Sequence, residues 1–488
     1  MTCLSRRLGG LRAAVGVLAG TDAASLPQVM NVASAIPGAA PCLDLERMQS
    51  DVAPPDTLAV RGLLDAARAR ISSAEALALA GRAELALSTL ASARAIADAT
   101  AYPPLRAEVA LAEGRILIER GDLQRAIVSL SEARAAAFEA QMIPAAVEAS
   151  ARLIYAEGSL SPQIDRLQGE LASLLPLSSG LRSNHLVRPL LLNNIGTVYL
   201  AAGRRADAAS YFEQAKDEIR RHDVSSLELI NVDLNLAMIT TDTPKREALA
   251  HSAWARFRDT LGEQHLSTLD ALSAYAMYVA DPAVAFDAIA RAAAAYERFH
   301  VTSGNQIALS LARSALLASE LGDAAQSITL YQRAIAIAEG ITDPDVAHRQ
   351  QLCRGELALQ LGDPAVATTA MRPIYDAKLA SPNWWERADA LRAEVGLGQA
   401  AAATGDIEAA VRYLDGAIRD LPAVVAMNEE VELKRYLARA RHTLAGVLSR
   451  TKRNPARAGA LEADARAFYR AAGYRAPVDP RHTNKSGT

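Results

Sequence analysis

The stretch LLLNNIGTVYLAAGRRADAASYFEQAKDEI, Leu190–Ile219, decides the fold. It reads as two helices with one tight turn between them. Gly203 ends the first helix, because the left-handed position after a helix needs no Cβ. Small residues at fixed places let the two helices approach closely. A pair of this kind buries its apolar face only by stacking on a neighbouring pair.

The turn recurs along the chain. GRAELALSTL begins at Gly81, GDLQRAIVSL at Gly121, GRRADAASYF at Gly203, GDAAQSITLY at Gly322, GDPAVATTAM at Gly362 and GDIEAAVRYL at Gly405. Successive markers lie 40, 82, 119, 40 and 43 residues apart, close to whole multiples of one unit. Where Asp follows the Gly, it can cap the second helix by accepting its free N–H groups. Fainter markers fall near Ser159, at Asp242 and at Asp281, and a looser unit follows Lys452. The reading is about ten helix pairs between Asp56 and Tyr474.

Composition agrees. Of 488 residues, 50% are hydrophobic and only 5% aromatic, and the apolar content is mostly Ala and Leu. These are strong helix formers, while strand-favouring types are scarce. The net charge of −3, with acids and bases mixed, lacks the clustered basic face of a nucleic-acid binder. No apolar run approaches the roughly 18 residues of a membrane span. Three cysteines, Cys3, Cys42 and Cys353, are too few for a disulfide scaffold.

The units resemble the tetratricopeptide repeat (TPR). The Gly203 unit carries Gly196, Tyr199, Ala208, Phe212 and Ala215 at that family's spacings. The Gly405 unit carries Gly398, Ala410, Ala417 and a closing Pro422, and the Gly121 unit carries Gly114, Ala126 and Ala133. The Gly322 unit keeps Tyr331 and Ala334 but has Ser327 where Ala is usual. The period is longer than the family's commonest. LGEQHLSTLDALSAYA, from Leu261, resembles a junction of the longer repeats and places His265 in a turn, in a packing or capping role. The resemblance implies an all-α, right-handed solenoid. The expected organisation is an N-terminal helical segment over residues 1–56, a TPR superhelix over 57–474 and a disordered tail over 475–488.

Catalytic patterns do not survive their context. Gly396-x-Gly398-x-x-Ala401 mimics a dinucleotide loop, but that loop needs a preceding strand. Arg221–Asp223 mimics a kinase catalytic loop without the downstream Asn or the Gly-rich loop. The eight His show no ligand pairing, and His348 and Cys353 are poorly spaced for one helix face. Asn484-Lys485-Ser486 fits a glycosylation sequon in a polar tail. No enzyme activity, cofactor or metal is expected.

What remains is binding of protein or peptide partners, with no nucleic acid. The first helix of each pair would line a concave groove. Asn193 and Asn194 stand on one such helix; Asn231 and Asn235, four apart, share a face of the next. Asn offers both donor and acceptor to a peptide backbone, a use TPR grooves also make; the competing reading is bonding inside the stack. Trp384 and Trp385 form a possible aromatic anchor, or fill space between repeats.

The opening MTCLSRRLGGLRAAVGVLAG is thin in Leu for a signal peptide. Leu4, Leu8, Leu11, Val15 and Leu18 recur at helix steps, which predicts one packed face with the arginines largely opposite. MTCLSRRLGGLRAAVGVL, ASAIP and PCLD resemble, in order, the start of the sensor region of bacterial Hanks-type serine/threonine kinases, where TPR units follow. That resemblance implies an extracytoplasmic region in which Cys3 and Cys42 can pair. With neither span nor signal visible, the chain as written is expected in the cytoplasm with both as thiols. The expected function is a non-catalytic TPR scaffold in bacterial signalling. The alternatives are the sensor part of such a kinase, or the effector domain of a TPR transcriptional regulator.

Overall fold

The computed structural model describes residues 2–21, 26–36, 42, 57–181, 185–222, 227–298, 304–339, 344–380, 384–428 and 431–473. Among these residues there are helices and no strands. Two short helices come first, α1 (Thr2–Ala19) and α2 (Leu26–Ser34). Ten antiparallel pairs follow. They are α3 and α4 (Leu58–Leu79, Ala83–Thr100), α5 and α6 (Pro103–Glu119, Leu123–Glu139), α7 and α8 (Ile143–Leu160, Ile164–Ser179), α9 and α10 (Val187–Ala201, Arg205–Arg221), and α11 and α12 (Leu227–Ile239, Thr243–Leu261). The rest are α13 and α14 (Leu266–Tyr278, Pro282–Arg298), α15 and α16 (Gly304–Leu321, Ala324–Ala338), α17 and α18 (Pro344–Leu361, Pro364–Lys378), α19 and α20 (Trp384–Thr404, Ile407–Asn428), and α21 and α22 (Val431–Arg450, Pro455–Ala471). The fold is a TPR-like α-solenoid. By packing, the chain divides into unit 1 (Met1–Leu236, Ala255–Thr268) and unit 2 (Ala237–Trp254, Leu269–Thr488). The tail 475–488 lies outside the described residues.

The repeated turn has one physical cause. Gly121 sits at φ 76°, and the Asp122 N–H reaches back to the Leu117 carbonyl at 2.9 Å. The Asp122 side chain then accepts from the Arg125 N–H, starting α6. A left-handed glycine followed by this back-bond closes one helix and releases the next. Gly81, Gly203, Gly322, Gly362 and Gly405 repeat the left-handed backbone. At the fainter markers, Asp242 and Asp281 cap α12 and α14 without a glycine. Near Ser159 the chain turns just after Leu160, and in the last unit Asn454 caps α22.

Small residues fix how closely the helices of a pair meet. A Cβ at Gly196 would lie 2.6 Å from the Phe212 ring, and one at Gly398 2.6 Å from Leu414. Gly114 faces Leu130 in the same way. Ala208, Phe212, Ala215, Ala410 and Ala417 are fully buried opposite them, and Tyr199 stacks on Tyr211 at 5.4 Å. Ser327 replaces the usual Ala without loss. Its hydroxyl donates to the Ala315 carbonyl at 2.7 Å and accepts from Gln360. His265 is a cap: its Nδ1 accepts from the Ser267 N–H, and burial pulls its imidazole down to about 4.

Three expectations are corrected. Pro422 does not close its helix, since α20 runs through it to Asn428. Buried Leu421 and Val424 on either side hold the helix in one core, offsetting the hydrogen bond that proline removes. The leucine face of α1 is not packed: Leu4 and Val15 are about half exposed, at 52% and 53%. The smaller Ala14 and Val17 pack instead on Val29, Val32, Ala76 and Ala80, and of the leucine set Leu18 alone joins them. Arg6 and Arg7, expected on the opposite side, line a cavity together with Glu75 and Glu119 of α3 and α5. Cys3 and Cys42 are joined by a disulfide rather than left as thiols.

Candidate functional site

In unit 1, the first helices carry a ladder of polar contacts between neighbours. Arg68 on α3 makes a two-pronged ion pair with Glu108 on α5, at 2.9 and 3.0 Å. Arg115 on α5 bridges Glu75 on α3 and Glu148 on α7. Burial alone would raise the Glu148 carboxyl, but the Arg115 and Arg152 guanidiniums hold it down to about 2. Each of these interhelix rungs spans one repeat.

The asparagines continue the ladder. Asn194 is buried, and its Nδ2 donates to the Ala151 carbonyl on α7 at 3.0 Å. It therefore serves the stack. Asn235 on α11 donates to the Asn193 side chain at 2.9 Å, and both remain half-buried. Asn231 is exposed on the same helix as Asn235. Between them Asp233 is buried against Lys216 at 2.7 Å. Trp384 and Trp385 open α19, but their side chains lie outside the described residues.

In unit 2, the corresponding side chains reach further. Glu356 on α17 accepts from the Tyr436 hydroxyl at 3.0 Å and from Arg439 at 2.9 Å, both on α21, two repeats on. Gln399 on α19 also accepts from Arg439. Glu320 and Arg313 on α15 pair with Arg435 and Glu432 on α21, three repeats on, at 3.3 and 3.7 Å. Burial pushes the Glu320 carboxyl up to about 7 against the pull of Arg435 and Arg439.

This brace encloses a cavity of 260 Å³ between α15, α16, α17, α19 and α21. Arg313, Arg349 and Arg392 enter it from three helices, and Leu309, Leu316 and Leu352 give it apolar walls. Arg392 is held by Asp389 at 2.7 Å and Glu432 at 3.2 Å. Burial works to raise the Glu432 carboxyl, yet Arg392, Arg313, Arg435 and Arg349 keep it below its ordinary value. Cys353 is in the wall as a buried thiol, pushed up to about 12 by burial, so it is no thiolate nucleophile. Among the described residues no group of His, Cys, Asp and Glu is placed to hold a metal ion.

Sequence reading picked the asparagines of unit 1 and missed the brace of unit 2. Its one signal was Arg435 and Arg439, four residues apart and so on one face of a first helix.

No family model and no curated protein matches the chain. Among solved structures, it is similar to a Rap protein complexed with competence and sporulation factor (13% identity, TM-score 0.48, 75% of this chain and 98% of that one). It is also similar to aspartyl phosphate phosphatase F from Bacillus subtilis (14%, TM-score 0.46, 74% and 92%) and to the apo quorum sensor NprR from B. thuringiensis (14%, TM-score 0.38, 72% and 96%). The repeat architecture itself rests on the ten helix pairs and their turns.

Proposed function

We propose that the chain is a non-catalytic repeat scaffold that binds protein or peptide partners through the first helices of its pairs. The observation that carries this reading is the cavity of unit 2. It is lined by guanidiniums, tyrosines and apolar side chains, a mixture suited to recognition. In unit 1, exposed Asn231 with half-buried Asn193 and Asn235 offers donors and acceptors to an extended backbone. Panning a random peptide library on the full chain tests the reading. Enrichment over a non-repeat helical control is expected, with part of it lost on Asn193→Ala with Asn231→Ala. Absence of enrichment would overturn it.

The disulfide favours a second, narrower reading, as the sensor region of a membrane-bound serine/threonine kinase. Disulfides persist in oxidising compartments, and residues 1–55 resemble the segment that precedes the repeats in such kinases. No helix among the described residues is long and apolar enough to cross a membrane. Thiol trapping in intact cells of the source organism separates the compartments. Protection of Cys3 and Cys42 from alkylation until reductant is added supports this reading; immediate labelling returns the chain to the cytoplasm.

A further inference from the structure

Four large apolar side chains stand along one face of α1. Leu4, Leu8, Leu11 and Val15 are each between 38% and 53% exposed. Among the described residues, no other helix carries more than two exposed side chains of this kind. Single exposed apolar residues are ordinary on a surface, whereas a contiguous row marks a place of interaction. Steps of four, three and four residues, continued by three to Leu18, are those of a coiled-coil seam. Ala14 and Val17 hold α1 against α2 and α3, so the leucine row is not the face that the solenoid uses.

The rim of this row is positive. α1 carries Arg6, Arg7 and Arg12 and no acidic residue, and α2 carries no charge. Arg12 is exposed and makes no ion pair among the described residues. Just past the end of α1, Arg82 donates to the Gly20 carbonyl at 3.3 Å and has no acidic partner among the described residues. A second copy would bring like charge to like, since α1 holds cations alone. Helices that lie on anionic membranes carry many Lys or Arg on an outer polar face and often Trp or Phe at depth. α1 has no aromatic residue, and two of its three arginines line the cavity beside Glu75 and Glu119. The seam spacing suits another helix, which would follow the row from Leu4 to Val15 for about three turns, or ~17 Å.

We propose that the exposed face of α1 docks an amphipathic helix of another protein. Its leucine-type residues, at seam spacing, meet Leu4, Leu8, Leu11 and Val15, and carboxylates beside its seam meet Arg12 and Arg82. This surface does not use the first helices of the pairs, so it goes beyond the scaffold reading and does not depend on it.

Fluorescence anisotropy on the full chain tests it with two labelled three-heptad peptides. Both carry Leu at the seam positions; one has Glu and the other Lys beside the seam. The Glu peptide is expected to bind, and the Lys peptide more weakly by about threefold or more. Leu8→Ser with Leu11→Ser is expected to weaken the Glu peptide by about tenfold or more. Both side chains are exposed in the free chain, so circular dichroism should show its helix content unchanged. Arg12→Glu is expected to remove the preference for the Glu peptide. Asn193→Ala with Asn231→Ala should leave Glu-peptide binding as it was; a loss there would move the binding into the groove and overturn the proposal. It is overturned equally if the Glu peptide does not bind, if the leucine pair can be replaced without loss, if the Lys peptide binds as tightly, or if Arg12→Glu leaves the preference intact. A concentration-dependent dimer in sedimentation, or capture by phosphatidylglycerol vesicles, that disappears in Leu8→Ser with Leu11→Ser would give the face to a second copy or to a membrane instead.

Discussion

In unit 1 the polar side chains of a first helix pair with the next first helix, as Arg115 does with Glu75 and Glu148. In unit 2 they pass over near neighbours, as Glu356 does to reach Arg439 and Tyr436. The turn chemistry is the same in both, from Gly121 in one to Gly405 in the other. The difference lies in exposure and reach. Arg115 is 34% exposed, whereas Arg439 is 11%. The short, wetter rung at Arg115 adds little to stability and leaves its groups accessible. A long, dry brace couples distant repeats and encloses a cavity.

The largest test of this contrast is Glu356→Ala. It leaves Arg439 buried without its main partner, at a cost of roughly 3–5 kcal/mol. Hydrogen exchange is expected to quicken in α17, α19 and α21, with α3, α5 and α7 unchanged. Equal quickening in both units would abolish the distinction.

The second test is pH. The folded Glu320 carboxyl titrates near 7, above its ordinary 4.5. Its contribution is therefore fully present below 4.5 and lost as pH rises to 7. His265, in unit 1, is displaced downward, to about 4 from 6.5. Its contribution is present above 6.5 and lost as pH falls towards 4. Urea denaturation between pH 4 and 7 is expected to show Glu320→Gln gaining on the unsubstituted chain as pH rises. The deficit of His265→Asn should shrink as pH falls. Parallel slopes for the two variants would remove this part of the contrast.

The smallest expected effect is that of Arg115→Ala. Glu148 keeps Arg152 at 2.9 Å, and the rest of the rung is open to solvent. The loss should stay below about 1 kcal/mol in chemical denaturation. A larger loss would make the ladder of unit 1 as structural as the brace.

The turns and helix pairs were legible because their causes are local. A left-handed glycine, an aspartate cap and a small residue opposite a large one lie within about 20 residues of one another, as Gly121, Asp122 and the Gly114–Leu130 contact do. The brace was not legible, because Glu356 and Tyr436 are 80 residues apart and only the stacking brings them together. The asparagines fell between these cases. Their helix face was visible, but not that Asn194 would bond inward to Ala151. On α1, hydrophobic periodicity found the helix and mistook its buried side, because the small Ala14 and the Val17 beside it make the contact there.

The reach of the Glu356–Arg439 pair also bears on how such a chain can change in length. Where contacts stop at the next repeat, a duplicated helix pair brings copies of its own rung residues and can rebuild each rung it interrupts. In unit 2 an inserted pair between α17 and α21 would part Glu356 from Tyr436 and Arg439 and dismantle the cavity. Unit 1 is free to vary in repeat number; unit 2 must keep its count.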